Sequence, residues 1–293
     1  CVWVILPVVA AAQEPASPTT VAVNDTVNTQ KVLLRFAFET GETLRYETQQ
    51  QVIQKAVAPA GAKVDSSTVK QTRLFKVGEV TEEGVAQVSM QFEHVRMELQ
   101  SDNQPVEVFD TSMKVADVPT KFRAAASKLK RPAPTFVLRT DGTPVSDEGV
   151  EQIPEGGQAG FMMPLPKEPV AVGETWKVQM QPEVRIAEGI MRTISLLRTY
   201  RLKEIDDDLA TSTFATSVVS KVRSPAIKAQ LLQATPKGPI RFSVKTGRVS
   251  KREMTFDRSV IGAIGPNTLL SATGTTVETL LPAGDSQPAV SAR

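Results

Sequence analysis

A chain of 293 residues, 41% hydrophobic and 23% charged, has enough apolar material for a sizeable core and an ordinary globular charge density. Its formal net charge is only +2, with acids and bases interspersed, so no basic stripe argues for nucleic acid. One cysteine and one histidine give no basis for a His/Cys metal site or an internal disulfide.

The first residue is Cys1 rather than Met, which suggests a missing N-terminus. Val2 to Val9 is a short apolar run, followed by Ala10-Ala11-Ala12 and the polar Gln13-Glu14-Pro15. That layout is an h-region with an A-x-A cleavage site, so residues 1–12 read as a truncated signal-peptide segment. The run is well short of the roughly 20 residues a spanning helix needs, so the chain is not expected to be transmembrane. A lipid-modified Cys1 fits poorly, because a lipidated cysteine usually opens a polar tether. The expectation is export to the periplasm or the extracellular space, with cleavage removing the only cysteine. Residues 13–30, rich in Pro, Thr, Asn and Val without a sustained period, read as a disordered tether.

From Lys31 the pattern turns to strands. Leu34, Phe36 and Phe38 alternate with polar or small residues, and so do Leu44 and Tyr46 after Thr40-Gly41. Alternation on both sides of a glycine predicts a β-hairpin. Strand patterns follow over 49–55, 73–80 and 85–99, with a loop at Ala56–Ser67 and a polar turn at Thr81–Gly84. In the last of these strands Val88, Met90 and Phe92 share one parity, whereas Val95, Met97 and Leu99 take the other. A bulge near His94, or a change of buried face, is therefore expected. Val118, Phe122, Ala126 and Leu129 then fall at helical spacing, with Asp117 as N-cap, Pro119 in the first turn and Lys128, Lys130 and Arg131 at the C-terminal end. Phe136 to Gly142 is another strand and turn.

The plan then returns. Gly173-Glu174-Thr175 repeats Gly41-Glu42-Thr43, with Trp176 and Val178 where Leu44 and Tyr46 stood. Thr199 to Ile205 leads into the acidic turn Asp206-Asp207-Asp208. Ser224-Pro225 opens a second helix with Ile227, Leu231 and Ala234 on one face. Pro119 and Pro225 are separated by the same interval as Phe136 and Phe242. The expectation is a tandem duplication, with β-rich repeats at 31–145 and 165–281. A Gly/Pro-rich linker at 146–164 joins them, and a flexible tail at 282–293 follows. Whether the repeats share one sheet stays open at this point. The linker carries an apolar patch, Phe161-Met162-Met163, next to Gly156, Gly157 and Gly160. Core packing of a connecting segment is one reading of that patch. The other is an adaptable cover over a groove, since methionine fits irregular partners.

Three short motifs tempt an enzymatic reading. Ser67-Thr68-Val69-Lys70, Ser101-Asp102-Asn103 and Lys245-Thr246-Gly247 reproduce, in order, the signatures of penicillin-recognising serine hydrolases. That chemistry needs the first Ser and Lys on one face of a buried helix, and the stretch around Ser67 has no helical apolar period. Ser101-Asp102-Asn103 has turn composition, and Lys245-Thr246-Gly247 has a counterpart in Arg139 to Gly142. His94, the one histidine, reads as a bulge or strand-edge residue. Asp206-Asp207-Asp208 lacks the alternating ligands and glycine of a calcium loop. No pair of carboxylates is singled out for glycoside chemistry. The expectation is no catalytic residue, no metal, no cofactor and no enzyme.

The paired Gly-Glu-Thr stretches, Val172 to Trp176, and Lys245 to Arg248 with Phe256-Asp257 resemble an uncharacterised family of exported bacterial proteins over most of 31–281. That resemblance implies export and fold rather than an activity. More loosely, long antiparallel strands with two helices are similar to the half-barrel of periplasmic lipoprotein carriers, where helices cover an apolar concave face. The expected fold is mainly β (α+β): an internally duplicated, curved antiparallel sheet or half-barrel with about two helices packed on it. The leading functional expectation is a non-enzymatic envelope protein holding an apolar or lipid-like ligand on the concave face, with Phe161, Met162 and Met163 as ligand-binding candidates. The alternative is a structural or interaction module with a solid core and an envelope protein as partner.

Overall fold

Most of the alternating stretches form strands, and nearly all of those strands join a single sheet. The computed structural model describes residues 31–129, 135–145 and 163–282. Its first half supplies β1 (Thr43–Ala58), β2 (Gly61–Val80), β3 (Ala86–Ser101), β4 (Glu107–Asp110), α1 (Arg123–Leu129) and β5 (Thr135–Leu138). The second half supplies β6 (Thr175–Met180), a small separate hairpin of β7 (Glu183–Ala187) and β8 (Ile190–Thr193), and then β9 (Leu196–Asp206). The chain ends with β10 (Leu209–Val218), α2 (Pro225–Gln230), β11 (Lys237–Ser243), β12 (Arg248–Ile261) and β13 (Leu269–Leu280). The strand order is β4-β3-β2-β1-β13-β12-β11-β10-β9-β6, with β5 also on β3. Every pairing is antiparallel, and the curved sheet does not close into a barrel.

The first and last strands meet in the middle. β1 pairs with β13 continuously from Tyr46↔Leu280 to Val57↔Leu269. The two halves of the chain therefore share one sheet across this seam.

Register decides which side chains face inward. Leu44 and Tyr46 oppose Phe75 and Arg73, which oppose Met90 and Phe92 in turn. Buried Leu44, Tyr46, Phe75, Val77, Val88 and Met90 thus lie on one face. Thr72 pairs with His94 and Arg73 with Phe92, leaving Glu93 as the extra residue of a bulge. An extra residue reverses parity along the strand, so Val95, Met97 and Leu99 return to the same inner face as Val88 and Met90. The change of parity is absorbed by the bulge, and β3 keeps one buried side.

The opening hairpin is not one. Residues 32–38 pair with neither β1 nor β2. They lie across one end of the sheet as an extended strap. Val32 exchanges both backbone hydrogen bonds with Val170, each 2.9 Å, and the Phe36 amide donates to the Thr140 carbonyl at 2.7 Å. The Arg35 guanidinium donates to the Pro166 carbonyl at 2.6 Å and to the carbonyl of Lys167. Two glycines make room for it. Gly247, at φ 62°, holds its backbone against Ala37, and Gly142, at φ 76°, meets the Phe36 ring. Both are positions where a Cβ would strain the backbone and collide. The strap seals the main core, which gathers Leu34, Phe36, Tyr46, Phe75, Phe136, Tyr200 and Phe242.

What recurs in the sequence recurs locally. At Gly41 (φ 81°) and Gly173 (φ 92°) the chain makes the same turn, with Glu42 N–H donating to Glu39 and Glu174 N–H to Ala171. Gly41 and Gly173 then donate to Val77 and Leu202, whose amides return a bond to Glu42 and Glu174. Each turn therefore launches a strand onto a neighbour already in the sheet.

The helices sit on the inner face. Before α1 come two short 3₁₀ turns, Val115–Asp117 and Thr120–Phe122, so the helical stretch starts after Pro119 and Asp117 does not cap it. Phe122 and Val118 from this stretch pack on Val95 and Phe109. α2 begins at Pro225 after Ser224, as the sequence predicts, although the Ser224 hydroxyl makes no capping bond. Its Ile227 and the following Leu231 pack on Val184, Ile194 and Leu196.

Candidate functional site

Between α2 and the strap end of the sheet, the inner face is left open. A cleft of about 680 Å³ lies there. Val178 and Met180 of β6, Leu196 of β9 and Leu231 beside α2 make one apolar wall, and Met254 and Phe256 of β12 another. Pro144 and Pro164 stand at its rim. Polar lining comes mostly from uncharged amides, Gln50, Gln179, Gln181, Gln230 and Gln233, together with Thr276 and one acid, Glu183, on β7.

Two guanidinium groups reach this cleft from the sheet. Arg198 lies 4.9 Å from the centroid of the Phe214 ring and donates from Nε to the Thr216 hydroxyl at 2.9 Å. Burial pushes its pKa down, and neighbouring Tyr200 partly opposes that shift. Arg252 belongs to a buried ion triad on the seam of the sheet. Its Nη2 lies 2.8 Å from Glu278, whose other oxygen accepts from Arg73 at 3.0 Å. Arg73 also donates to the Thr48 hydroxyl at 2.8 Å. Glu278 is 1% exposed, Arg252 3% and Arg73 5%, so all three are dry. Close by, the Tyr46 hydroxyl donates to the Val249 carbonyl at 2.9 Å, and burial, then Glu278, drives its pKa far above the ordinary phenol value.

These residues carry a signal that the sequence reading passed over. Leu196-x-Arg198-x-Tyr200-x-Leu202 and Arg252-x-Met254-x-Phe256 each put an arginine at the parity of buried apolar residues. Thr276-x-Glu278-x-Leu280 does the same with an acid. A charge on the inward parity of a strand must be paired or must serve a ligand, because burying it alone is costly.

Of the candidate ligand contacts, Met163 is 2% exposed and packs in the main core with Phe36 and Leu165. Phe161 and Met162 lie outside the described residues. The three hydrolase-like motifs are not brought together as that chemistry requires. Ser67 and Lys70 are on β2 and, three apart in a strand, point to opposite faces. Asn103 and Asp102 sit in the loop after β3, whereas Lys245 to Gly247 form the β11–β12 turn at the other end of the sheet, beside the strap. Among the described residues no cluster of His, Cys, Asp and Glu could hold a metal ion. Asp208 instead accepts from the Ser243 hydroxyl at 2.9 Å, fastening the β9–β10 turn to β11.

His94 stands at the bulge with its Nε2 3.1 Å from Asp110. Burial pushes the Asp110 carboxyl up, but the Ser112 hydroxyl and amide and then His94 together outweigh it and hold it below the usual carboxylate range. A folded-state value below the unfolded one contributes stability above the unfolded pKa, about 4, and loses it as pH falls through the folded value. Urea midpoints measured from about pH 6 down to about pH 2 should fall below about pH 4. Asp110→Asn should be less stable at neutral pH and should shed less on acidification. An unchanged acid limb in that variant would assign the loss to other carboxylates.

No protein-family model matches the chain, and no curated protein does. Among solved structures, one of lipovitellin and its lipid–protein interactions superimposes with a TM-score of 0.48 at 12% identity, over 86% of this chain. The chain spans 27% of that chain's length.

Proposed function

We propose that this is an exported, non-enzymatic envelope protein that holds a lipid-like molecule with an acidic head group in the inner-face cleft. The observation that carries the reading is the cleft itself. It offers apolar walls for a hydrocarbon portion and guanidinium groups at Arg198 and Arg252 on the sheet side. Ligand sites of several hundred Å³ commonly combine such walls with a few placed polar groups. Amide side chains around the rim can accept or donate to a head group without imposing a charge of their own. Among the described residues no helix is long and apolar enough to cross a membrane.

Native mass spectrometry on protein purified gently from a bacterial periplasm, followed by lipid extraction, tests this. A stoichiometric adduct that extracts as an acidic lipid is expected. Val178→Glu, a change on half-buried β6 at the cleft wall, should lower its occupancy about ten-fold by placing a desolvated like charge beside the acidic ligand. A clean apo mass, with no uptake of added fatty acid or acidic phospholipid, would overturn the proposal.

A further inference from the structure

The apolar residues left on the surface are not scattered. β1 and β2 join at Ala58–Gly61, and β12 and β13 join through residues 262–268, at the end of the sheet opposite the strap. Val57 pairs with Leu269, and Leu269 with Ile261, so the two hairpin tips lie side by side. A Cβ on Gly262 would lie 3.8 Å from Pro225, which brings the loop entering α2 to the same place. The β7–β8 hairpin projects from this end too, since β6 leaves the sheet at Met180 and β9 enters it at the paired Leu196. Among the described residues, every exposed large hydrophobic except Leu33, Phe92 and Val115 belongs to this end. Ile261 is 77% exposed, Val219 60% and Ile264 57%.

Charge follows the same geography. The stretches that build the tips and their neighbour, residues 48–64, 218–234 and 258–277, contain no Asp or Glu at all. They contain Lys55, Lys63, Lys221, Arg223, Lys228 and Arg258. A smaller cleft of about 410 Å³ opens here, with Val218, Val222, Leu231 and Val260 in its lining beside Lys228 and Arg258.

Exposed isoleucines at the β12–β13 loop stand with Lys221, Arg223, Lys228 and Arg258 on stretches free of acids. The acids of this end lie apart, Asp65 on Lys63, Asp102 at Val64, and Glu183 and Glu188 on the β7–β8 hairpin. That arrangement matches the layered chemistry of a lipid–water interface. Hydrocarbon lies deepest and anionic head groups lie just above it. We infer that the tip end of the sheet docks on an anionic lipid surface, Ile261 and Ile264 entering the acyl boundary while Lys221, Arg223, Lys228 and Arg258 meet the phosphates. The inference stands on surface residues alone and is independent of what the inner cleft holds.

Flotation of the full chain with vesicles tests it. The protein is expected to rise with vesicles rich in phosphatidylglycerol, and to stay behind with pure phosphatidylcholine or in high salt. Ile261→Asp with Ile264→Asp should cut binding to the anionic vesicles at least about ten-fold without lowering the melting temperature, because neither side chain is buried. Lys221→Gln with Arg223→Gln should weaken binding and flatten its salt dependence. Val115→Asp, exposed elsewhere, should bind as the parent does. Failure to float with anionic vesicles, or unchanged binding in the isoleucine variant, overturns the inference.

Discussion

Replacing Glu278 with alanine should cost about 3–5 kcal/mol, one of the two largest losses expected of any single substitution in the chain. Its carboxylate sits between the guanidinium groups of Arg73 and Arg252, at 3.0 and 2.8 Å, with all three side chains out of water. Truncation leaves two buried cations facing each other with nothing between them. Alanine also opens a void on β13 at the seam where Thr48 and Arg252 flank Glu278. Equilibrium urea unfolding measures the loss directly.

A companion triple replacement identifies the cause. If Arg73, Glu278 and Arg252 all become methionine, no charge is left buried, and most of the lost stability should return. Glu278→Gln should fall between the two, since the amide oxygen still accepts from one arginine but carries no charge. A Glu278→Ala loss below about 1 kcal/mol would mean that water reaches the triad. The triad also bears on the site. It fixes Arg252 where the guanidinium borders the cleft, so Glu278→Ala should change ligand occupancy as well as stability.

Much of this architecture is legible in the sequence because most strands have one buried face. Period-2 alternation marked β3, β9 and parts of β1 and β2, but it left β10, β12 and β13 unassigned and read residues 56–67 as a loop where β1 and β2 pair down to Ala58↔Gly61. The parity change between Phe92 and Val95 pointed to a bulge near His94 or a change of buried face, and the bulge at Glu93 is the one found. Ser224-Pro225 marked α2 for a similar reason, since proline at the first helical position forgoes no hydrogen bond. What alternation cannot show is the partner across the ladder. Leu34, Phe36 and Phe38 alternate as a strand does, yet the backbone of their segment bonds to Val170 through Val32 and to Thr140 through Phe36 rather than to β1. The two Gly-Glu-Thr turns fold alike, but their glutamates part company. Glu42 pairs with buried Arg248, whereas Glu174 turns back to its own Ala171 amide at 2.9 Å. The inner cleft was hidden for a related reason. Arg198, Arg252 and Glu278 sit at inward parity, and a search for catalytic motifs gives such isolated charges no weight.

The strap is where the sequence reading and the structure differ most, and one cycle of substitutions decides between them. Phe36 is 1% exposed and stacks on Phe38 with ring centroids 5.8 Å apart. It also meets Phe242 of β11 edge-on at 5.7 Å. Phe36→Ala should therefore cost about 3–5 kcal/mol, the range for deleting a fully buried aromatic ring. Leu33→Ala, 47% exposed on the same strap, should stay within about 0.5 kcal/mol. A local hairpin could give the same pair of numbers, so the coupling carries the distinction. Phe36 and Phe242 belong to opposite halves of the chain and touch only if the strap crosses the end of the sheet. The double variant should be less destabilised than the sum of the two singles, by about 0.5–1.5 kcal/mol of shared aromatic contact. Strict additivity would return Phe36 to a hairpin with β1 and detach the strap from the core. A positive coupling would mean that the segment before the first strand holds the two halves together, because its far side is bonded to Pro166 and Val170 while its rings lie on Phe242.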